Sequence, residues 1–339
     1  MGFTPPNDVR LGPLLALPQL LREHDVDPEE FARRTGVPLI LFESPENRLP
    51  LKDICRLLLA AEQVTGRPGL AMLVAQRADI GSFGLLGELM TASATVGQAL
   101  EALVLHLHND DRASVPILSR PDSNTVFLGY LLHHPAELGF EQALGAALSV
   151  AAKVLRELCG PGWRCRSVQF SHREPSCVRI YREIFGRNAT FNAEFSGLYF
   201  DAAWLNRPLP ASDAVRWSRI HRSLLNSTLE PPVGFAEQVM CALYGLLATG
   251  GISAENLARM FACSERTLRS RLKREGVSQQ QLLAEVRFQR ARHLLRGTDL
   301  PVSRIAAALS YADTAVFSRA FNNWAGISPR QWRNANRMQ

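Results

Sequence analysis

The chain has 339 residues, enough for two domains or one large one with ample core. With 46% hydrophobic and 21% charged residues it reads as an ordinary globular protein, and its longest apolar run, residues 143–158, is broken by Ser149, Lys153, Arg156 and Glu157, which excludes a membrane span. Net charge is +6 but uneven: from Gly251 onward 15 Lys+Arg stand against 6 Asp+Glu, a balance of +9, while the remainder holds 23 against 26, a balance of −3. A basic last quarter on a slightly acidic body points to a C-terminal domain that binds a polyanion.

The N-terminus, GFTPPNDVRLGPLLALPQLL, has no basic n-region, prolines inside its apolar part and no clear cleavage site. No signal peptide is expected, and the protein is read as cytoplasmic with no membrane partner. A helical hairpin then runs to a joint at residues 42–50, FESPENRLP. Beyond it, ICRLLLAAEQVTG and ELGFEQALGAALSVAAKVLRELCG read as helices, the second ending at a glycine cap. Between these helices, ASVPILSRPDSNTVFLGYLL reads as a hairpin turning at PDSN, and WRCRSVQFSH and TFNAEFSGLYF as two further strands. A second joint, NRPLPASD at 206–213, is followed by DAVRWSRIHRSLLNSTLE at 213–230, where Val215, Ile220 and Leu224 form a partial apolar stripe suited to a dimer contact. The third joint, LEPPVG at 229–234, is the expected domain boundary, and an apolar helix over 235–247 follows it.

From there the pattern is all helix, and it repeats. In SAENLARMFACSERTLRSRLKREG, Ser253 caps a short helix carrying Leu257, Ala258 and Phe261; ACS turns, and Ser264 caps a second helix carrying Leu268 and Leu272. About fifty residues later Val302, Ile305, Ala306 and Leu309 form another short helix, SYA turns, and Asp313 caps its successor. That successor lies in SYADTAVFSRAFNNWAGISPRQWR, where Phe317, Ala320, Phe321 and Trp324 fall at i, i+3, i+4 and i+7, one buried stripe. The opposite face carries Ala315, Arg319 and Asn322, with Thr314 and Ser318 at its edges: short side chains around one arginine, and no acid. A helix that enters the major groove needs such a face, low enough for close approach and able to hydrogen-bond base edges. Each unit is a helix-turn-helix. A connector helix from Ser278 through QQQLLAEVRFQRARHLL, about 28 Å long at the α-helical rise, would fix the two recognition helices on one face of a duplex, roughly 34 Å apart in successive major-groove segments.

On LARMFACSERTLRSRLKREG, RFQRARHLL, VSRIAAALSYADTAVFSRAFNNWAGISPRQWR and the closing Ser328-Pro329 helix cap, the C-terminal hundred residues resemble the DNA-binding domain of the AraC/XylS transcription regulators. More loosely, YREIFG and LYFDAAWLNRPLP resemble the long subgroup of that family, whose N-terminal effector domain is arabinose-binding-like. The resemblance implies an α+β effector and dimerisation domain over 1–230, then an all-α DNA-binding domain over 233–336 with helix-turn-helix units at 253–274 and 302–325. It places Arg266, Thr267, Arg269 and Ser270 of the first unit, and Thr314, Ala315, Ser318 and Arg319 of the second, against DNA. The helical wheel adds Lys273, which with Arg266 and Ser270 lies opposite Leu268, and adds Asn322 in the second unit. Relatives often carry arginine or glutamine where this chain has Ser270, so base reading by the first unit rests on Arg266 and Arg269. The implied partners are double-stranded DNA, a small-molecule effector, a second copy of the chain and, further, RNA polymerase.

Other chemistry is weak. DIGSFGLLG spaces Gly81, Gly84 and Gly87 loosely, but no lysine follows, so turns and helix packing explain it better than a phosphate loop. His106, His108, His133 and His134 invite a metal reading, yet residues two apart on a helix diverge; His172 and His221 stand isolated. The six cysteines (Cys55, Cys159, Cys165, Cys177, Cys241, Cys263) show no CxxC pair and read as reduced, mostly buried thiols. No metal, cofactor or catalytic residue is expected. Two alternatives stand beside a ligand-responsive regulator: a large domain serving only dimerisation or a protein partner, and an enzyme fused to a DNA-binding module. The second would need a reactive cysteine in a local motif, which Cys55, Cys159, Cys165 and Cys177 lack.

Overall fold

The computed structural model describes residues 7–132, 138–226 and 234–336. The chain opens with β1 (Asp8–Arg10), α1 (Leu17–Glu23), α2 (Pro28–Thr35) and β2 (Arg48–Pro50). β1 and β2 pair antiparallel, Val9 opposite Leu49, so the joint at 42–50 carries a strand that its prolines had hidden. Five helices follow: α3 (Leu51–Thr65), α4 (Leu70–Ala75), α5 (Gly84–Ala92) and α6 (Val96–His106), then, beyond β3 (Ser114–Asp122) and β4 (Thr125–Leu132), α7 (Phe140–Cys159). β5 (Ser167–Gln169), α8 (Arg179–Phe185), β6 (Ala189–Thr190), β7 (Gly197–Asp201) and α9 (Ala214–Asn226) complete this part. The expected hairpin is present, Asp122 pairing with Thr125 around its turn. The five-stranded sheet runs β3-β4-β7-β5-β6, antiparallel except between β5 and β6.

Glycines set two tight approaches. α7 starts after Gly139 at φ 84, where a Cβ would lie 1.9 Å from the carbonyl oxygen of Cys55, so only glycine lets α7 lie against α3. Within DIGSFGLLG, a Cβ on Gly87 would meet the Ile80 carbonyl oxygen at 1.9 Å, the packing role the sequence suggested.

The sheet has two buried faces. Along β4, Val126, Leu128 and Leu132 enter a core shared with α3, α6 and α7, while Phe127 and Leu131 enter a second core built from the C-terminal helices. Val115 and Ile117 of β3 join the second core, and α10 (Phe235–Thr249) packs directly on β3. A strand buried on both faces reads as the continuous apolar run VFLGYLL rather than an alternation.

α11 (Ala254–Met260), α12 (Glu265–Arg274), α13 (Gln279–Gly297), α14 (Val302–Ala308), α15 (Thr314–Ala325) and α16 (Pro329–Asn336) follow, so the fold is α+β and then all helical. The cap residues act as the sequence suggests. Ser253 accepts from the amide of Asn256, Ser264 from Thr267 and Asp313 from Val316, and Ser328 and Gln331 exchange bonds at α16. The two helix-turn-helix turns share a geometry: Ala262 at φ 46 and Ser310 at φ 56 both take the left-handed conformation without being glycine.

Two expectations need correction. In α9, Ile220 and Leu224 are buried against Leu89 and Ala102 of α5 and α6, leaving Val215 exposed, so the stripe suggested as a dimer contact is mostly covered within the chain. Trp324 is half-buried against Phe288, whereas Phe317 and Phe321 are fully buried; α15 ends at Gly326 before its last turn can sink into the core. His133, His134 and residues 227–233, including most of LEPPVG, lie outside the described residues. No helix among the described residues is long and apolar enough to cross a membrane.

Candidate nucleic-acid interface

Recognition helices need an inner stripe that anchors them and an outer face that stays clear. In α12, Leu268 and Leu272 are fully buried, and Arg266, Thr267, Arg269, Ser270 and Lys273 are all exposed. The far end of this helix locks onto α10: the Glu275 carboxylate accepts from the amides of Phe235 and Ala236 at 2.9 and 2.8 Å, and the Arg271 guanidinium sits 3.6 Å from the centre of the Phe235 ring. Arg271 therefore belongs to the packing, as its position at the apolar edge suggests. Thr267 shares a hydrogen bond with Ser264 at 2.9 Å, and Arg269 pairs with Glu265 at 2.8 Å, one turn away. That pair is exposed and so contributes little to stability. Arg266 and Lys273 make no hydrogen bond or ion pair among the described residues.

In α15, Ala315, Arg319 and Asn322 are exposed, and Thr314 and Ser318 are half-buried. The Ser318 hydroxyl donates to the carbonyl of Thr314 at 2.7 Å, so in this state it is turned onto its own helix rather than outward. Arg319 has no hydrogen bond or ion pair among the described residues.

The net charge of this region overstates what faces outward. Arg287 donates to the carbonyls of Leu309 and Ser310 and covers the Tyr311 ring, bracing the second turn from the connector α13. Arg304 pairs with Glu194 at 2.7 Å, and Arg333 donates to Leu300 at 2.6 Å. Arg290 is 3% exposed and donates to the Glu194 carbonyl; burial pulls its guanidinium down to about 9. Arg287, Arg290 and Arg333 thus brace the fold, whereas the Arg304 pair lies at the surface.

Arg290 and His293 are also what the sequence reading missed. On α13 they face the first domain: His293 is hydrogen-bonded to Ser171 at 2.8 Å and lies against Phe140, while Arg290 stacks over Phe195. Arg173 pairs with Asp299 at 3.0 Å nearby. The signal was available, since both interrupt the helix face that carries Val286 and Leu294. His221, taken as isolated, lies with its Nδ1 3.3 Å from Nε2 of His106 and stacks on Trp217; burial first, then His221, pulls His106 down to about 4. Among the described residues no group of three or more His, Cys, Asp or Glu could hold a metal.

The first domain contains a cavity of about 140 Å³ between α7 and the sheet. Helices α3, α6 and α7 line it as much as β4 does. Burial pushes the Cys159 and Cys165 thiols up to about 11, which favours the neutral thiol over the thiolate.

Two helix-turn-helix units on one connector, docked to an α+β domain that holds a cavity, define a DNA-binding transcription regulator. Residues 26–209 match the family described as the arabinose-binding domain of AraC transcription regulator, N-terminal, and residues 257–335 match a helix-turn-helix domain. The chain belongs to the AraC family of transcription regulators. It is 28% identical over 327 residues to the HTH-type transcriptional regulator VirS of Mycobacterium tuberculosis, covering 96% of each chain. It is 28% identical over 333 residues to the ornithine utilization regulator of Pseudomonas aeruginosa, covering 94% of each. Among solved structures, the transcriptional regulator CdpR of P. aeruginosa is similar over 94% of this chain and 96% of its own, with 22% identity and a TM-score of 0.45. These relatives are regulators, not enzymes.

Proposed function

We propose that the protein is a regulator switched by a small organic effector held in the cavity beneath α7. It would act as a dimer on repeated sites, with residues 1–230 as the effector domain and 233–336 as the reader. The observation that carries this is the sheet: β4 lines the cavity with Leu128, Tyr130 and Leu132 and supports the DNA-binding helices with Phe127 and Leu131. One strand is thus a wall of both compartments. A ligand that prefers one position of that wall biases how the helix-turn-helix units are presented, by no more than its difference in affinity for the two positions. A domain serving dimerisation alone would have no need of a cavity at this wall.

On the DNA, Arg266, Thr267, Arg269, Ser270 and Lys273 would face one major-groove segment and Thr314, Ala315, Ser318, Arg319 and Asn322 the next. Arg319 is the sharpest candidate for reading a base, because it is exposed, unpaired among the described residues and set among short side chains. The test uses a duplex enriched from a random pool by the full chain, and a scrambled version of it. Arg319→Ala should weaken the enriched duplex by roughly 1–3 kcal/mol and the scrambled one far less. An unchanged ratio between the two would reduce Arg319 to a phosphate contact.

A further inference from the structure

Resting on the reading of this cavity as the effector site, we infer that the effector is an amphipathic amine: an apolar body about the size of one aromatic ring, carrying a single protonated amino group received by Asp110. Three observations lead there. The first is size and lining. A cavity of about 140 Å³ is close to one that holds benzene and stays dry. α7 faces it with Ala143, Ala146, Ala147, Val150, Ala151 and Val154, a single helical face whose small side chains leave the space open, and Leu128 and Leu132 stand among its other walls. A sugar would lose its water to walls that return almost no hydrogen bonds.

The second is where the polar groups lie. Arg10, Asp110, Asp111 and Tyr130 all line the cavity and are bonded to one another in pairs. Asp111 is fully engaged, accepting from Ser114 Oγ at 2.6 Å, the Ala113 amide at 2.9 Å and the Tyr130 hydroxyl. Arg10, 6% exposed, spends its two terminal nitrogens on Asp110 and Glu46, while its buried Nε has no partner. Asp110 accepts from Arg10 through Oδ1 only; its Oδ2 accepts no hydrogen bond among the described residues.

The third is the sign of the charge. Two carboxylates, Glu46 and Asp110, pair with the Arg10 guanidinium, Asp111 beside them is held by neutral donors, and the neighbouring Arg48 and Arg112 are drawn to Asp8 at 2.9 and 3.6 Å. An anionic headgroup would meet two acids at the cavity wall. An ammonium would supply the donor that Asp110 Oδ2 lacks and offset the excess charge. Burial pushes the Asp110 carboxyl up to about 6 against the pull of Arg10 and Arg48, with Glu46 adding to the rise.

The experiment is a ligand-observed NMR titration of the full chain at pH 8 with four probes: benzylamine, benzyl alcohol, benzoate and L-arabinose. Benzylamine should bind at least tenfold more tightly than benzyl alcohol, and benzoate and arabinose should not bind. Ala147→Phe, which fills the cavity, should abolish all ring binding. Asp110→Asn should bring benzylamine down to the level of the alcohol. Should that variant fail to fold, the wild type supplies the same answer, because benzylamine binding should weaken as pH falls through about 6 while benzyl alcohol binding stays level. Arg10 and Asp111 share the cavity wall with Asp110, and Arg48 and Glu46 are the other charges acting on it; the alcohol titration cancels their common effects. If benzoate or the alcohol binds as well as the amine, and Ala147→Phe still blocks it, the amine assignment is wrong and the cavity stands. If Ala147→Phe leaves ring binding intact, or no ring probe binds, the cavity itself is not the effector site.

Discussion

Glu237, in the first turn of α10, is 5% exposed and has Arg112 and Asp8 of the first domain as its charged neighbours. Burial pushes its carboxyl up to about 7 from an ordinary 4.5; Arg112 opposes this and Asp8 adds to it. The folded state therefore holds the proton more tightly than the unfolded chain. Its contribution to stability is complete below about pH 4.5 and is lost as pH rises toward 7. At about 1.4 kcal/mol per pKa unit, the difference amounts to roughly 3 kcal/mol at pH 8 as a ceiling. Glu237→Gln keeps the shape and cannot ionise, so it removes the loss. Wild type and variant should melt together near pH 4.5, and the variant should pull ahead as pH rises, by several degrees at pH 8. Other buried acids raised in the same way, Asp110 among them, tilt both curves alike, so the difference curve isolates Glu237. A difference that is flat with pH, or that favours wild type at pH 8, would mean that the Glu237 carboxylate is well paired with Arg112 and that the burial argument fails.

Phe321→Ala should lower the stability of the helical region by roughly 3–5 kcal/mol, and Trp324→Ala, only half-buried, by roughly half that, read from chemical denaturation; equal losses would mean that Trp324 is as deeply seated as the sequence suggested. Ala262→Gly, at the left-handed residue of the first turn, should stabilise by about 0.5–1 kcal/mol without weakening DNA binding, and destabilisation would show that the Ala262 methyl packs usefully there.

The DNA-binding half was legible because everything that defines it is local. A serine or aspartate cap, a stripe repeating at three and four residues and a tight turn all fall within a span of about 25 residues, as at Ser264, Leu268 and Leu272. The cavity was not legible for the opposite reason. Its lining comes from Val9 through Leu155, and the alanines of α7 that open it look in sequence like any apolar helix face. The His106–His221 pair, 115 residues apart, left no trace in local spacing. β2 was hidden because a three-residue strand flanked by prolines takes its stability from its partner β1, not from its own pattern. Arg290 and His293 were absorbed into a connector because a helix that looks amphipathic toward one partner can have a second partner on its other side. In each case the missing information was which distant element arrives at a face.

That second partner bears on how the proposed switch could work. The first domain grips the reader at two separate places. β3 and β4 meet α10, which α12 caps through Glu275 and Arg271, so this contact leads to the first unit. Residues 171–173 and 192–196 meet Arg290, His293, Asp299 and Arg304, at the end of α13 and the start of α14, so this contact leads to the second unit. Only the first contact is made by strands of the cavity wall. A ligand pressing on β4 would load the first unit directly, while the second is held by residues 171–173 and 192–196 and by Phe140 at the start of α7, the helix that faces the cavity. Since α13 is one continuous helix of 19 residues, the two loads meet in it. Either the connector keeps its geometry and one grip slips, or both hold and the angle between recognition helices changes. In the first case effector would alter how tightly the first half-site is held; in the second, which spacing of half-sites is preferred. Binding to duplexes whose half-sites are moved apart by single base pairs, with and without ligand, separates these two.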